Sequence, residues 1–166
     1  MLGLIDQSGD ATPYELKRIV AAGIGNFWSL QHAQLYTEPE RLAGAGYLEE
    51  TREQGGRRRK LYRLTAAGRK ALRAWVSQPT EELPELRDVA LLKMYFGANA
   101  SELAEVQLAA HREKLREYER IEKAAGDGEP AGPRVTLRAG IDHEREWVRF
   151  WGSLAKDGGD DAGGRS

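Results

Sequence analysis

Asn26-Phe27-Trp28-Ser29, then His32-Ala33-Gln34-Leu35-Tyr36-Thr37, then Gly46-Tyr47-Leu48, then Gly55-Gly56-Arg57-Arg58-Arg59-Lys60 entering Leu61-Tyr62-Arg63-Leu64: this run decides how the chain reads. Its order is a helix with a basic hairpin behind it. Ser29 can cap the helix, because its side-chain oxygen accepts a free N–H of the first turn. At about 100° per residue, Leu35, Pro39 and Leu42 share one face, while Leu30, Ala33 and Thr37 lie opposite, flanked by Ser29, Gln34 and Tyr36. A small, polar outward face suits a helix that enters a DNA major groove, where short hydrogen-bonding side chains read base edges. Gln34 is the expected reader, since a side-chain amide can pair with both edge groups of adenine. An ordinary amphipathic surface helix has the same periodicity. The basic turn behind it tips the reading toward DNA.

Arg57, Arg58, Arg59 and Lys60 place four cations at a turn whose two glycines permit positive φ. A wing lying along a phosphate backbone has this composition. A solvated loop can carry the same charges, so the position directly behind the helix gives them their weight.

Working outward, Thr12-Pro13-Tyr14-Glu15 is a helix-start signal, with Thr12 as N-cap, Pro13 at the first helical position and Glu15 as the reciprocal acceptor. The helix it opens runs to Ala22, and Gly23 and Gly25 supply the stop and the turn, giving helix-turn-helix. Before it, Met1-Leu2-Gly3-Leu4-Ile5 is apolar but too short for a helix of normal length, and it can be the end of a longer one. After the hairpin, Thr65 precedes a helix over 66–77 whose Leu72, Trp75 and Val76 form an apolar stripe, with Trp75 expected in the core. Residues 78–84 contain two prolines and no periodicity, which marks a linker. Beyond it the pattern predicts a helix over 86–96 with Val89, Leu92 and Phe96 on one face. A longer helix follows, capped by Ser101 and reaching about Ala125, with Leu103, Val106, Ala110, Leu115, Tyr118 and Ile121 apolar. The last spans about 135–156, with Leu137, Ile141, Val148, Trp151 and Leu154 near helical spacing. Residues 157–166 are mostly Gly and Asp and are expected to be disordered.

The 166 residues carry a net charge of −1 that hides an asymmetry. Residues 1–78 hold twelve Lys or Arg against eight Asp or Glu, whereas 79–166 hold thirteen against eighteen. A basic first half joined to an acidic second half suits a polyanion-binding module carrying another unit. No apolar run is long enough to span a bilayer and no signal peptide is legible, so a cytoplasmic protein is expected. With no cysteine there is no disulfide or thiolate metal site. The three histidines, His32, His111 and His143, sit on separate segments without ligand spacing, so no metal, cofactor or catalytic group is expected.

Two long helices with apolar seams and little other core need a partner, and a second copy of the chain would supply one. Trp147 and Trp151 lie four apart on the last helix. They either fill a seam or line an aromatic pocket for a flat effector.

The residues resemble the PadR family of winged-helix transcriptional regulators: Thr12-Pro13-Tyr14-Glu15-Leu16-Lys17, Asn26-Phe27-Trp28, His32-Ala33-Gln34-Leu35-Tyr36, Gly46-Tyr47-Leu48, Arg59-Lys60-Leu61-Tyr62-Arg63-Leu64-Thr65 and Ala67-Gly68 fall in its order and spacing. Leu86-Arg87-Asp88, Leu91-Leu92-Lys93-Met94-Tyr95-Phe96-Gly97 and Gly140-Ile141-Asp142-His143-Glu144-Arg145-Glu146-Trp147 are similar to the virulence-activator-like C-terminal region of its longer subfamily. The chain departs from the family in a short first helix, in Thr37 where a proline is common, and in Pro39 where a core leucine is common. Pro39 is expected to bend the recognition helix or end it early.

The resemblance implies a mainly α protein with a small β-hairpin wing: a winged helix-turn-helix over 1–78, a helical dimerisation and effector domain over 84–156 and a tail over 157–166. It implies a homodimeric regulator, usually a repressor, binding double-stranded DNA at a pseudo-palindromic operator, whose C-terminal helices often sense a small aromatic compound or another effector. The expected DNA contacts are Ser29, Ala33, Gln34, Tyr36, Thr37, Arg57, Arg58, Arg59 and Lys60, and the expected effector contacts Trp147 and Trp151. The rival is a winged-helix dimer that senses a ligand or a protein without binding DNA.

Overall fold

The computed structural model describes residues 1–52, 58–125 and 130–160, with side chains as far as 156. It divides into two compact units, residues 1–83 and residues from 84 onward.

The first unit runs α1 (Leu2–Ser8), β1 (Asp10–Ala11), α2 (Pro13–Ala22), a 3₁₀ turn (Ile24–Asn26), α3 (Gln34–Gly44), β2 (Leu48–Arg52), β3 (Lys60–Leu64) and α4 (Ala66–Val76). The sheet is antiparallel in the order β1-β3-β2. Along β3 the inward positions Tyr62 and Leu64 are buried and Arg63 is exposed, the two-residue alternation of a half-buried strand. Leu4, Ile5, Ala11, Leu16, Leu35, Leu48, Tyr62 and Leu64 form one core. Each fully buried aliphatic side chain there contributes about 1.5–3 kcal/mol.

Two elements go beyond what periodicity alone predicts. The apolar start belongs to the seven-residue helix α1, with Leu4 and Ile5 buried on it. The hairpin also gains a third strand, Asp10 pairing with Arg63 and Ala11 with Tyr62. The Arg63 guanidinium donates to both Asp10 carboxylate oxygens at 2.6 and 2.5 Å. A two-residue strand has no period to read.

The α2 start is as the sequence predicts: the Thr12 hydroxyl accepts from Glu15 N at 3.3 Å, and Glu15 Oε2 accepts from Thr12 N at 2.8 Å. Thr65 caps α4 by accepting from Gly68 N at 3.0 Å, while its hydroxyl donates to Gly46 O at 2.8 Å. That contact draws α4 onto the turn before β2. A Cβ on Gly68 would lie 2.1 Å from Tyr47 O. Trp75 is not in the core: it is 71 % exposed and Val76 66 %, because only Leu72 of that stripe reaches the small core beneath.

The second unit contains α5 (Val89–Tyr95), α6 (Ala100–Ala124) and α7 (Ala131–Asp160). Asp88 starts α5, its carboxylate accepting from Ala90 N at 2.7 Å and Leu91 N at 3.0 Å, so the helix is shorter than the predicted 86–96. Its face is also rotated from the predicted one, with Ala90 buried and Val89, Leu92 and Phe96 exposed. Asn99, not Ser101, caps α6, accepting from Ser101 N and Glu102 N. Helix α7 continues through Asp160, four residues into the expected tail, and 161–166 lie outside the described residues. Between α6 and α7, Ala104, Tyr118, Ile141 and Trp151 are buried, whereas Val106, Ala110 and Ile121 are exposed. Gly140 admits the Tyr118 ring, since a Cβ there would meet its Cε2 at 3.0 Å.

Candidate nucleic-acid interface

The recognition helix begins later than Ser29. Residues 27–33 form turns and irregular chain, and α3 starts at Gln34 with Ala33 before it in helical geometry and no side-chain cap. Ser29 is exposed in the loop before the helix and is not its N-cap. Gln34 stands in for a cap: its carboxamide oxygen accepts from Gln31 N at 2.9 Å. A bidentate amide pair with adenine needs that oxygen. Reading adenine in this way therefore requires Gln34 to release Gln31.

Leu35 and Pro39 anchor the inner face of α3 and are buried. Pro39 does not end the helix, which continues to Gly44. Outward lie Ala33, Gln34, Tyr36, Thr37, Glu40 and Arg41, all exposed. The Thr37 hydroxyl donates back to Ala33 O at 3.2 Å, so what it offers outward is an acceptor. Tyr36 packs its ring 5.2 Å from His32, and Arg41 pairs with Glu38 at 2.8 Å. Phe27 and Trp28, 66 % and 62 % exposed, flank the loop that leads in.

Arg58 and Arg59 are exposed just before β3, and Arg58 has φ 46, a turn conformation uncommon for a residue with a Cβ. Arg57 and the two glycines of the turn lie outside the described residues. Lys60 reaches both α3 and β2. Its ammonium donates to Glu40 Oε1 on α3 at 2.6 Å and lies 3.3 Å from Glu50 Oε2 on β2. Those bonds, the one to Glu40 first, hold the Lys60 pKa above its ordinary value. Glu50 Oε2 also accepts from Tyr62 Oη at 3.2 Å. Burial, then the nearby Glu50 charge, pushes the Tyr62 phenol up to about 12.

The strand register explains this cluster. Glu50 stands opposite Tyr62 and Leu48 opposite Leu64, so all four share one face of the sheet with Lys60, two residues from Tyr62. That face is apolar at its base and ionic toward the hairpin tip. Glu40 and Glu50 were not singled out from the sequence, because only the seat of α3 and the register of β2 on β3 bring them to Lys60.

In the second unit the indoles of Trp147 and Trp151 stack with centroids 6.1 Å apart. Trp151 is fully buried with Ala90 and Ala104, whereas Trp147 is half-buried and packs its other face on His111 at 5.6 Å. Trp147 Nε1 donates to His143 Nε2 at 2.7 Å, and His111 Nδ1 lies 2.6 Å from Glu144 Oε2. Among the described residues no group of His, Asp and Glu could hold a metal ion, and no helix is long and apolar enough to cross a membrane.

A helix-turn-helix followed by a two-stranded basic wing defines a winged-helix protein of the DNA-binding type. Residues 1–74 match the transcriptional regulator PadR-like family, and residues 86–155 match the virulence activator alpha C-terminal region. The chain belongs to the PadR-like family of transcriptional regulators and carries that C-terminal region. It is 28 % identical over 170 residues to the negative transcriptional regulator PadR of Bacillus subtilis strain 168, covering 93 % of this chain and 92 % of that one. The crystal structure of Bacillus subtilis PadR in complex with operator DNA superimposes with a TM-score of 0.80 at 26 % identity, covering 93 % of each chain. That of the same protein with p-coumaric acid gives 0.76 at 25 % identity, covering 93 % of this chain and 94 % of that one.

Proposed function

We infer that this protein is a cytoplasmic transcriptional repressor that binds a pseudo-palindromic DNA operator as a homodimer and is released by a small aromatic acid. The observation that carries the DNA reading is the exposed face of α3, Ala33, Gln34, Tyr36 and Thr37, in one compact unit with the exposed Arg58 and Arg59 of the wing. Short polar and aromatic groups on a helix can meet base edges, and guanidinium groups on a turn can meet phosphates. Arg57 belongs with this second set by sequence alone. Ser29, in the loop before α3, is assigned to the phosphate backbone and not to a base. The negative regulator PadR and its operator complex support the same reading by similarity.

Dimerisation is assigned to residues 84–156. Val89, Leu92, Tyr95 and Phe96 present a contiguous apolar face on and beside α5 that a solitary chain leaves in water. The effector class follows from the PadR complex with p-coumaric acid. Of the two tryptophans, only Trp147 reaches solvent, so the effector contact is assigned to it. Regulation of this kind is binding without a catalytic step, and the ligand must favour the dimer that does not bind DNA.

The test is fluorescence anisotropy of the full-length protein on a labelled duplex of the DNA upstream of its own gene, at several salt concentrations, with and without p-coumaric acid. Specific, salt-dependent binding relieved by the acid is expected. Binding that does not distinguish this duplex from a scrambled one removes the operator reading, and binding indifferent to aromatic acids removes the effector reading.

A further inference from the structure

We propose that Lys60 is a positioning residue that locks the wing to the recognition helix through Glu40, so that it governs sequence choice and does not neutralise a phosphate. This rests on the DNA-binding reading above. Its position in the Arg57 to Lys60 run suggests a fourth phosphate contact, but the geometry points elsewhere. The Lys60 ammonium bonds to Glu40 Oε1 at 2.6 Å and lies 3.3 Å from Glu50 Oε2, with only a third of its side chain exposed. Glu50 in turn accepts from Tyr62 Oη at 3.2 Å, and Tyr62 is fully buried in the core. A continuous polar chain thus runs from core Tyr62 through Glu50 and Lys60 to Glu40 on α3.

Two consequences follow. An ammonium already shared by two carboxylates has little net charge to offer a phosphate. Glu40 sits one helical turn beyond Tyr36 and Thr37, so holding it fixes the azimuth of the face that meets the bases. An isolated exposed ion pair contributes little. Here the pair is one link in a chain anchored in the core, so its effect is read in alignment and not in stability.

The experiment starts by selecting duplexes with the full-length wild-type protein from a random-sequence pool. Affinities of wild type, K60Q, E40Q and the double variant K60Q/E40Q are then measured on the enriched duplex and on a scrambled one of equal length, across a salt series. Positioning predicts that K60Q and E40Q each cut the enriched-over-scrambled ratio roughly tenfold. It further predicts that the double variant loses no more of that ratio than either single variant, because both remove the same link, and that the salt slope of K60Q on scrambled DNA equals that of wild type. A phosphate role for Lys60 instead predicts a shallower slope for K60Q and tighter binding everywhere for E40Q, and either result overturns the proposal. Losses that multiply in the double variant make Glu40 a base reader independent of Lys60, which also overturns it. If the pool yields no enriched duplex, sequence-specific DNA binding fails along with the lock; an enriched duplex with unchanged ratios in K60Q and E40Q defeats the lock alone.

Discussion

The indole of Trp151 lies stacked beneath that of Trp147, 6.1 Å between centroids and 21° between planes, with Trp151 closed off from solvent and its Nε1 without an acceptor among the described residues. A buried N–H without a partner offsets part of what burying the ring contributes. Trp151→Leu should cost roughly 2–3 kcal/mol for the lost ring volume. Trp151→Phe should cost less than half as much, because the unsatisfied donor goes with the area. Urea unfolding of the two variants checks this, and equal losses would mean that the N–H is satisfied in solution.

Trp147 has the opposite profile, half-buried and paired through Nε1 with His143. Trp147→Leu should leave most of the stability in place while weakening the response of the DNA complex to p-coumaric acid. A normal response, measured by displacement of labelled DNA, would exclude Trp147 from the effector site.

The capping box at α2 predicts an acid-side instability. Bonds from the Thr12 N–H, first, and the Thr12 hydroxyl, second, hold the Glu15 carboxyl below its ordinary value of 4.5. A carboxylate with a depressed folded-state pKa contributes stability that is fully present above the unfolded value and is lost as pH falls through the folded one. The loss therefore lies below about pH 4.5. Glu15→Gln keeps an acceptor oxygen but cannot titrate, so its unfolding midpoint should fall less steeply between pH 5 and 3 than that of wild type, pH limits set by roughly this window. Thr12→Ala should cost about 1 kcal/mol at neutral pH. Parallel acid limbs for wild type and Glu15→Gln would contradict the role given to the carboxylate.

Gly68 is required by contact and not by a turn. With Tyr47 O 2.1 Å from any Cβ, Gly68→Ala must push α4 off the turn before β2, at a cost of roughly 3 kcal/mol. Nothing lies within 4 Å of a Cβ on Gly44 in α3, so Gly44→Ala should be neutral or slightly stabilising. Thermal unfolding of the two variants gives the comparison, and similar midpoints would mean that the approach of Gly68 to Tyr47 is looser in solution.

Legibility in the sequence followed the range of the interaction. Thr12-Pro13-Tyr14-Glu15 announces α2 because its capping bonds span three residues. The helix-turn-helix, the hairpin and the three C-terminal helices were likewise readable from period and punctuation. Ser29 misled because it is a good cap type, whereas the chain stays irregular to residue 33 and Gln34 supplies the acceptor from inside the first turn. Trp75 misled because its stripe looks like a core face, yet a core this small reaches only Leu72. The Glu40–Lys60–Glu50 cluster was out of reach, since residues 20 and 10 apart meet only through the register of β2 on β3 and the seat of α3.

Replacing Arg58 and Arg59 by glutamine together should weaken binding to specific and random duplexes alike and flatten the salt dependence by about two phosphate contacts, because such contacts release counterions without reading bases. An unchanged slope would remove the wing from the phosphate backbone.

The most direct test of sequence-specific recognition by a dimer is the sequence enriched from a random pool and its affinity relative to a scrambled duplex. Two inverted half-sites with centres about one duplex turn apart are expected, bound on the order of a thousandfold or more tighter than the scrambled control at physiological salt. Equal affinity for both duplexes, or an enriched sequence with no two-fold symmetry, would contradict a homodimer reading bases through α3.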